Sequence, residues 1–147
     1  MLELENITYQ PQTGRKKVLD NINLKINEHE IILICGESGS GKTTLLEIIS
    51  GLTDPQRGRI LWKNKIINSR KRRWLCGLVF QFPERFFLGA TIGKELKFGY
   101  KSMKEIKIKN ILNKVGLSKI NLKAPPENLS GGQQRRLAVA VQLLRDP

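Results

Sequence analysis

The sequence predicts an α/β fold: a strand–loop–helix core, an antiparallel β part before it and a helical second half. Three observations point there. The apolar run Ile31-Ile32-Leu33-Ile34-Cys35 reads as a buried parallel strand and leads through a glycine-rich loop to Leu45, Leu46, Ile48, Ile49 and Leu52 at helical spacing. Two alternating stretches joined by a turn precede that run. Helical patterns dominate after residue 90.

Leu2 to Tyr9 alternates Leu2, Leu4, Asn6 and Thr8 against Glu3, Glu5, Ile7 and Tyr9, as a strand does. Pro11-Gln12-Thr13-Gly14 is a turn, and Val18 to Ile26 alternates again with Leu19, Ile22, Leu24 and Ile26 mostly inward. Together they suggest an antiparallel hairpin. Asn27-Glu28-His29-Glu30 turns the chain into the run at Ile31, and His29, the only histidine, reads as solvated. The helix after the loop is expected to end near Gly51. Asp54-Pro55-Gln56-Arg57-Gly58 is a turn and Arg59 to Trp62 a short strand. Asn64 to Arg73, polar and basic, reads as a surface excursion, and Cys76-Gly77-Leu78-Val79-Phe80 as a second buried strand.

Gln81-Phe82-Pro83-Glu84-Arg85-Phe86-Phe87 is rich in aromatics, and Pro83 breaks regular structure there. These rings suit either a core or a partner-docking loop. Thr91 to Phe98 is a short helix. Ser102 and Glu105 have capping-box spacing before a stripe of Met103, Ile106, Ile111, Leu112 and Val115, which Gly116 stops. Leu117 to Asn128 is irregular, with Pro125-Pro126. Ser130 and Gln133 form a second capping box, followed by Leu137, Val141 and Leu144 at i, i+4 and i+7.

The chemistry concentrates in Gly36-Glu37-Ser38-Gly39-Ser40-Gly41-Lys42-Thr43, which fits G-x-x-x-x-G-K-[ST] between a strand and a helix. Glycines let several N–H groups turn inward and, with the helix N-terminus, cradle phosphates. Lys42 can reach the β- and γ-phosphates as a point charge, and Thr43 offers a hydroxyl to Mg²⁺. Ser130-Gly131-Gly132 opens a second anion-ready helix. Two glycines weaken a first turn unless something approaches the backbone closely.

With 147 residues, 39% hydrophobic and 27% charged, the chain is one globular domain or a piece of one. No apolar run approaches the roughly 20 residues of a membrane span, and the acidic, alternating N-terminus resembles neither a signal nor a transit peptide. Cys35 and Cys76 lie in apolar runs, which suggests buried, reduced thiols and a cytosolic setting. The net charge of +13 fits a general basic bias, a membrane or partner surface, or nucleic acid. Most basic residues are dispersed, apart from Arg70-Lys71-Arg72-Arg73.

The phosphate loop and Leu129-Ser130-Gly131-Gly132-Gln133 together resemble the ATP-binding-cassette (ABC) ATPases, the second stretch matching that family's signature sequence. Gln81 falls at the family's Q-loop glutamine. Thr8-Tyr9-Gln10-Pro11, the Phe80 to Phe87 stretch and Arg135-Arg136-Leu137-Ala138 look similar to the energy-coupling-factor type and to soluble ABC proteins of cyanobacteria and plastids.

The resemblance implies a P-loop NTPase core in residues 1–80 and a Q-loop and helical signature subdomain in 81–147. It implies that Gly36, Glu37, Ser38, Gly39, Ser40, Gly41, Lys42, Thr43 and Thr44 hold ATP, with Thr43 and Gln81 on Mg²⁺ and Gln81 positioning the attacking water. Ser130, Gly131, Gly132 and Gln133 would contact the ATP of the opposite subunit in a head-to-tail dimer, homo- or heteromeric. A membrane subunit would dock near Phe82, Phe86 and Phe87, leaving the protein peripheral on the cytoplasmic face, or in the stroma of a plastid. Tyr9 is the nearby aromatic for stacking adenine, although Pro11 stands where the family's aromatic is expected.

The family continues past its signature helix with a strand ending in Asp and a catalytic Glu (the Walker B segment), then a loop Asp and a switch His. None of these is among the 147 residues, so the resemblance implies a cassette truncated before Walker B. Three functions follow: an ATPase subunit powering transport, an ATP-binding module that does not hydrolyse ATP alone because the base is lost, and an ABC-type ATPase acting on nucleic acid or the ribosome.

Overall fold

The computed structural model describes residues 1–14, 16–100 and 102–147. They form two compact units, Met1–Cys76 and Gly77–Pro147.

The first unit is built on a four-stranded antiparallel sheet. Strands β1 (Leu2–Tyr9) and β2 (Leu19–Ile26) form the expected hairpin, with Leu4 opposite Leu24 and Ile7 opposite Ile22. Simple alternation would put Leu4 and Ile7 on opposite faces, yet both are buried in one core with Leu19 and Ile60. The register shifts between Leu4 and Ile7, where Asn6 takes a left-handed φ of 52°; that bulge reverses the parity of the strand. Asn21, at φ 53°, sits between Leu19 and Ile22 and accompanies the same reversal in β2.

Helix α1 (Lys42–Ser50) lays Leu45 and Ile48 on this core and ends at left-handed Gly51, whose N–H bonds the Ile48 carbonyl at 3.1 Å. Leu46 and Leu52 of the predicted stripe are exposed. Strand β3 (Arg57–Trp62) begins two residues earlier than expected and pairs with β1, then turns through left-handed Lys63 and Asn64 into β4 (Lys65–Ile66). The sheet order is β2-β1-β3-β4. Gly58 lies so close to β1 that a Cβ there would meet the Glu5 carbonyl oxygen at 2.4 Å.

The polar stretch 64–73 is not a loose excursion. After β4 it forms α2 (Ser69–Leu75), capped by the Asn68 side chain, which accepts from the Lys71 N–H at 2.9 Å. Arg72 is buried, its guanidinium donating to Asp54 Oδ1 at 2.7 Å and to the Thr53 carbonyl at 3.3 Å. Buried Arg72, paired with a solvent-exposed Asp54, rather than an apolar stripe, seats this helix.

Neither predicted parallel strand forms. Residues 31–35 make no ladder, and Ile31 is 98% exposed. Residues 76–80 likewise form no strand. Apolar composition gives a segment the capacity to be a strand, but backbone pairing needs a neighbour alongside, and none runs there among the described residues. The thiols are correspondingly not buried: Cys35 is exposed and Cys76 half-buried, both unbridged.

The second unit packs α3 (Ile92–Leu96), α4 (Glu105–Lys114) and α5 (Gly131–Arg145) around Ile92, Leu96, Ile108, Leu112, Leu117, Leu137, Ala140 and Leu144. In α4 the helix starts at Glu105 with Lys104 as N-cap, so Ser102 makes no capping box. Ile108 points into the core while Ile106 is exposed. Gly116, with φ 69°, ends that helix as expected.

Candidate nucleotide and partner sites

The loop 36–43 is shaped by backbone that only glycine adopts freely. Gly41 has φ 91° and is the N-cap of α1, and a Cβ there would sit 2.9 Å from the Val18 carbonyl oxygen. Because Gly41 has no side chain, nothing caps α1, and the amides of its first turn face outward with the positive end of the helix dipole. Residues 36–40 are exposed, and the Ser40 N–H closes a tight turn on the Glu37 carbonyl at 3.2 Å.

Lys42 folds over this turn. Its ammonium donates to the carbonyls of Gly36 (2.9 Å) and Glu37 (2.7 Å), and lies 3.4 Å from Ser40 Oγ. One cation is thereby fixed in the curl of the loop, beside the uncapped helix end. Thr43, the next residue, is exposed, and its hydroxyl makes no hydrogen bond among the described residues; Thr44 is half-buried behind it. A free hydroxyl beside an uncapped helix end suits a hard cation that takes oxygen ligands and keeps its waters. No cluster of three or more His, Cys, Asp or Glu competes for a metal among the described residues.

Tyr9, at the end of β1, is half-buried against the Leu4–Ile7–Leu19 core. Core packing therefore takes part of its ring. His29 is exposed in a left-handed turn, as its polar neighbours imply.

In the second unit Gln81 is exposed and leads into a short 3₁₀ turn, Pro83–Phe86. The aromatic stretch divides between the two roles its composition allows. Phe87 packs on the helical core, whereas Phe82 and Phe86 are exposed. Phe86 stacks on Phe80 with ring centres 4.4 Å apart, and the Arg85 guanidinium lies 5.0 Å over the Phe82 ring. A cleft of about 110 Å³ beside them is lined by Leu78, Phe80, Phe86, Phe87 and Val141.

Glu95 holds the far end of this loop and escaped the sequence reading. Its buried carboxylate accepts the N–H groups of Leu88 (2.8 Å) and Gly89 (2.6 Å). Gly89 runs so close to α3 that a Cβ would lie 2.3 Å from the Glu95 amide nitrogen. A Leu-Gly pair followed six residues on by an acid inside a short helix was the available signal.

Ser130 caps α5 through the complete predicted box: its Oγ accepts from the Gln133 N–H (3.4 Å), and Gln133 Oε1 accepts from the Ser130 N–H (2.9 Å). Gly131 and Gly132 behave differently from the loop glycines. A Cβ built on either meets nothing within 4 Å. No packing among the described residues asks for them, and they leave the opening of α5 bare.

Comparison with known proteins matches this arrangement. The family described as ABC transporter aligns with residues 19–147. The Energy-coupling factor transporter ATP-binding protein EcfA2 of Clostridium tetani is 39% identical over 99% of this chain and 56% of its own length. ABC transporter I family member 11, chloroplastic, of Arabidopsis thaliana is 36% identical over 99% of the chain and 58% of its own. Among solved structures, the ATP-binding cassette MJ0796, dimeric in a post-hydrolysis state bound to ADP and Pi, superposes with a TM-score of 0.82 at 30% identity. That match covers all of this chain and 71% of the other. The chain thus spans little more than half the length of these curated relatives. With its glycine loop, Gln81 and capped Ser-Gly-Gly helix in place, it belongs to the ABC transporter family.

Proposed function

We propose that the chain is the ATP-binding part of a transporter's ABC ATPase subunit, taking Mg-ATP in the loop 36–43. The carrying observation is the uncapped start of α1, with left-handed Gly41 behind it and Lys42 held in the curl of the loop. Phosphate oxygens would accept from the first-turn amides, and Lys42 would exchange its carbonyl partners for the β- and γ-phosphates. Thr43 and Gln81 would hold Mg²⁺, whose bound form neutralises phosphate charge; both side chains are exposed to receive it. Tyr9 is the proposed adenine contact, offering the part of its ring that the core leaves uncovered.

The bare opening of α5 supports a second role. Ser130, Gly131, Gly132 and Gln133 would meet the nucleotide of an opposing ABC subunit, homo- or heteromeric, because among the described residues nothing packs over the two glycines. The dimeric, ADP- and Pi-bound relative supports such pairing. Phe82, Phe86 and Phe87 border the proposed docking surface for a membrane subunit, which would keep the protein peripheral at the cytoplasmic face. No helix among the described residues is long and apolar enough to cross a membrane. Transport is the coupled process in the energy-coupling-factor relative's name. Hydrolysis is proposed for the protein once the family's Walker B carboxylates and switch His are supplied.

Titration calorimetry with Mg-ATP tests the reading. Binding to the wild-type chain that Lys42→Ala weakens by roughly 10- to 100-fold is expected, the value of a charge-assisted contact. Equal affinity in the variant would overturn it.

A further inference from the structure

The surface of the first unit carries a basic, apolar-tipped patch that the nucleotide reading leaves unused. No Asp or Glu occurs between Asp54 and Glu84, and Arg70-Lys71-Arg72-Arg73 sits in the middle of that stretch. Helix α2 sorts these residues by its 100° step. Arg72 turns inward to Asp54, and Arg73 donates to the Gly51 carbonyl at 2.8 Å. Arg70 and Lys71 remain on the outer face, with no acidic partner among the described residues, and Trp74 lies one turn after Arg70 between them. Trp74 is 69% exposed. Just before the helix, Lys65 and Ile66 are exposed as well, Ile66 by 65%.

Unpaired cations flanking an exposed indole on one helix face, with an exposed aliphatic side chain shortly before that helix, match the chemistry of the bilayer interface. The indole prefers the headgroup level, the aliphatic side chain the acyl boundary, and the cations the anionic surface. Nucleic acid would use the cations and the ring but gives an exposed isoleucine nothing to bind. We propose that the outer face of α2, Arg70, Lys71 and Trp74 together with Ile66, docks directly on an anionic phospholipid surface. This contact needs neither the nucleotide nor a membrane subunit.

Co-sedimentation of the full chain with phosphatidylglycerol–phosphatidylcholine vesicles at about 0.15 M salt tests it. Binding is expected, with loss of roughly twentyfold in an R70S/K71S double variant and roughly tenfold in Trp74→Ala. All three altered side chains are exposed, and unchanged circular dichroism confirms the fold. In a Trp62→Phe background, Trp74 fluorescence should shift to the blue on adding vesicles. Absence of vesicle binding, equal binding to pure phosphatidylcholine, or binding indifferent to these substitutions would each overturn the proposal. So would single-stranded RNA binding that depends on the same residues while vesicles are ignored.

Discussion

Two helices of this chain open with glycines, and they do so for opposite reasons. At the start of α1, Gly41 is imposed from within: its φ is left-handed and the Val18 carbonyl leaves no room for a Cβ. At the start of α5, Gly131 and Gly132 have open space around them, and Ser130 with Gln133 already satisfies the cap. The first helix is left uncapped by its own chain, the second capped but stripped of side chains. The difference separates a glycine the fold needs from two glycines that no described neighbour requires.

Substitution should expose that contrast. The largest effect is expected at Gly41. Gly41→Val adds left-handed strain and a clash with Val18, costing about 2–4 kcal/mol in urea unfolding; a cost near zero would mean the loop relaxes freely. Gly131→Ala should act with the opposite sign, stabilising the chain by up to about 1 kcal/mol, because alanine enters a helix with room to spare. A destabilised Gly131→Ala would show that the chain itself packs on that residue. Ser130→Ala should cost about 1 kcal/mol by breaking the capping box.

A smaller effect concerns acid. Lys63 first, and the N-terminal amine second, hold the Glu28 carboxyl below its ordinary range. A depressed carboxyl stabilises the fold above its unfolded pKa and loses that contribution as pH falls through the lower folded value. Glu28→Gln should therefore lower the urea midpoint at neutral pH, with the gap to wild type closing in acid. A gap that widens in acid would contradict the assignment.

The same contrast between inner and outer causes governs what was legible in the sequence. The hairpin β1–β2, the loop, α1 with Gly51 and the box at Ser130 are set by local rules and came through. The parity reversals at Asn6 and Asn21 did not, because a bulge leaves no mark on alternation except an Asn able to turn left-handed. Helix α2 does not show in hydrophobic periodicity because its seat is a buried arginine, Arg72, bonded to an exposed Asp54. The runs at 31–35 and 76–80 looked like strands because composition reports capacity for burial and not the presence of a neighbour. At the candidate site, motif spacing singled out the loop and Ser130. Glu95 was not legible, since its role lies in accepting two backbone N–H groups from a loop six residues earlier.

The uncapped start of α1 is proposed here as an anion site completed by nucleotide phosphates. Amide hydrogen exchange of the chain with and without Mg-ADP tests it most directly. Slowed exchange is expected to be confined to the amides of residues 37–44, with those at 131–134 unchanged in dilute, unpaired chain. Nucleotide that protects other segments while leaving 37–44 unchanged would contradict it.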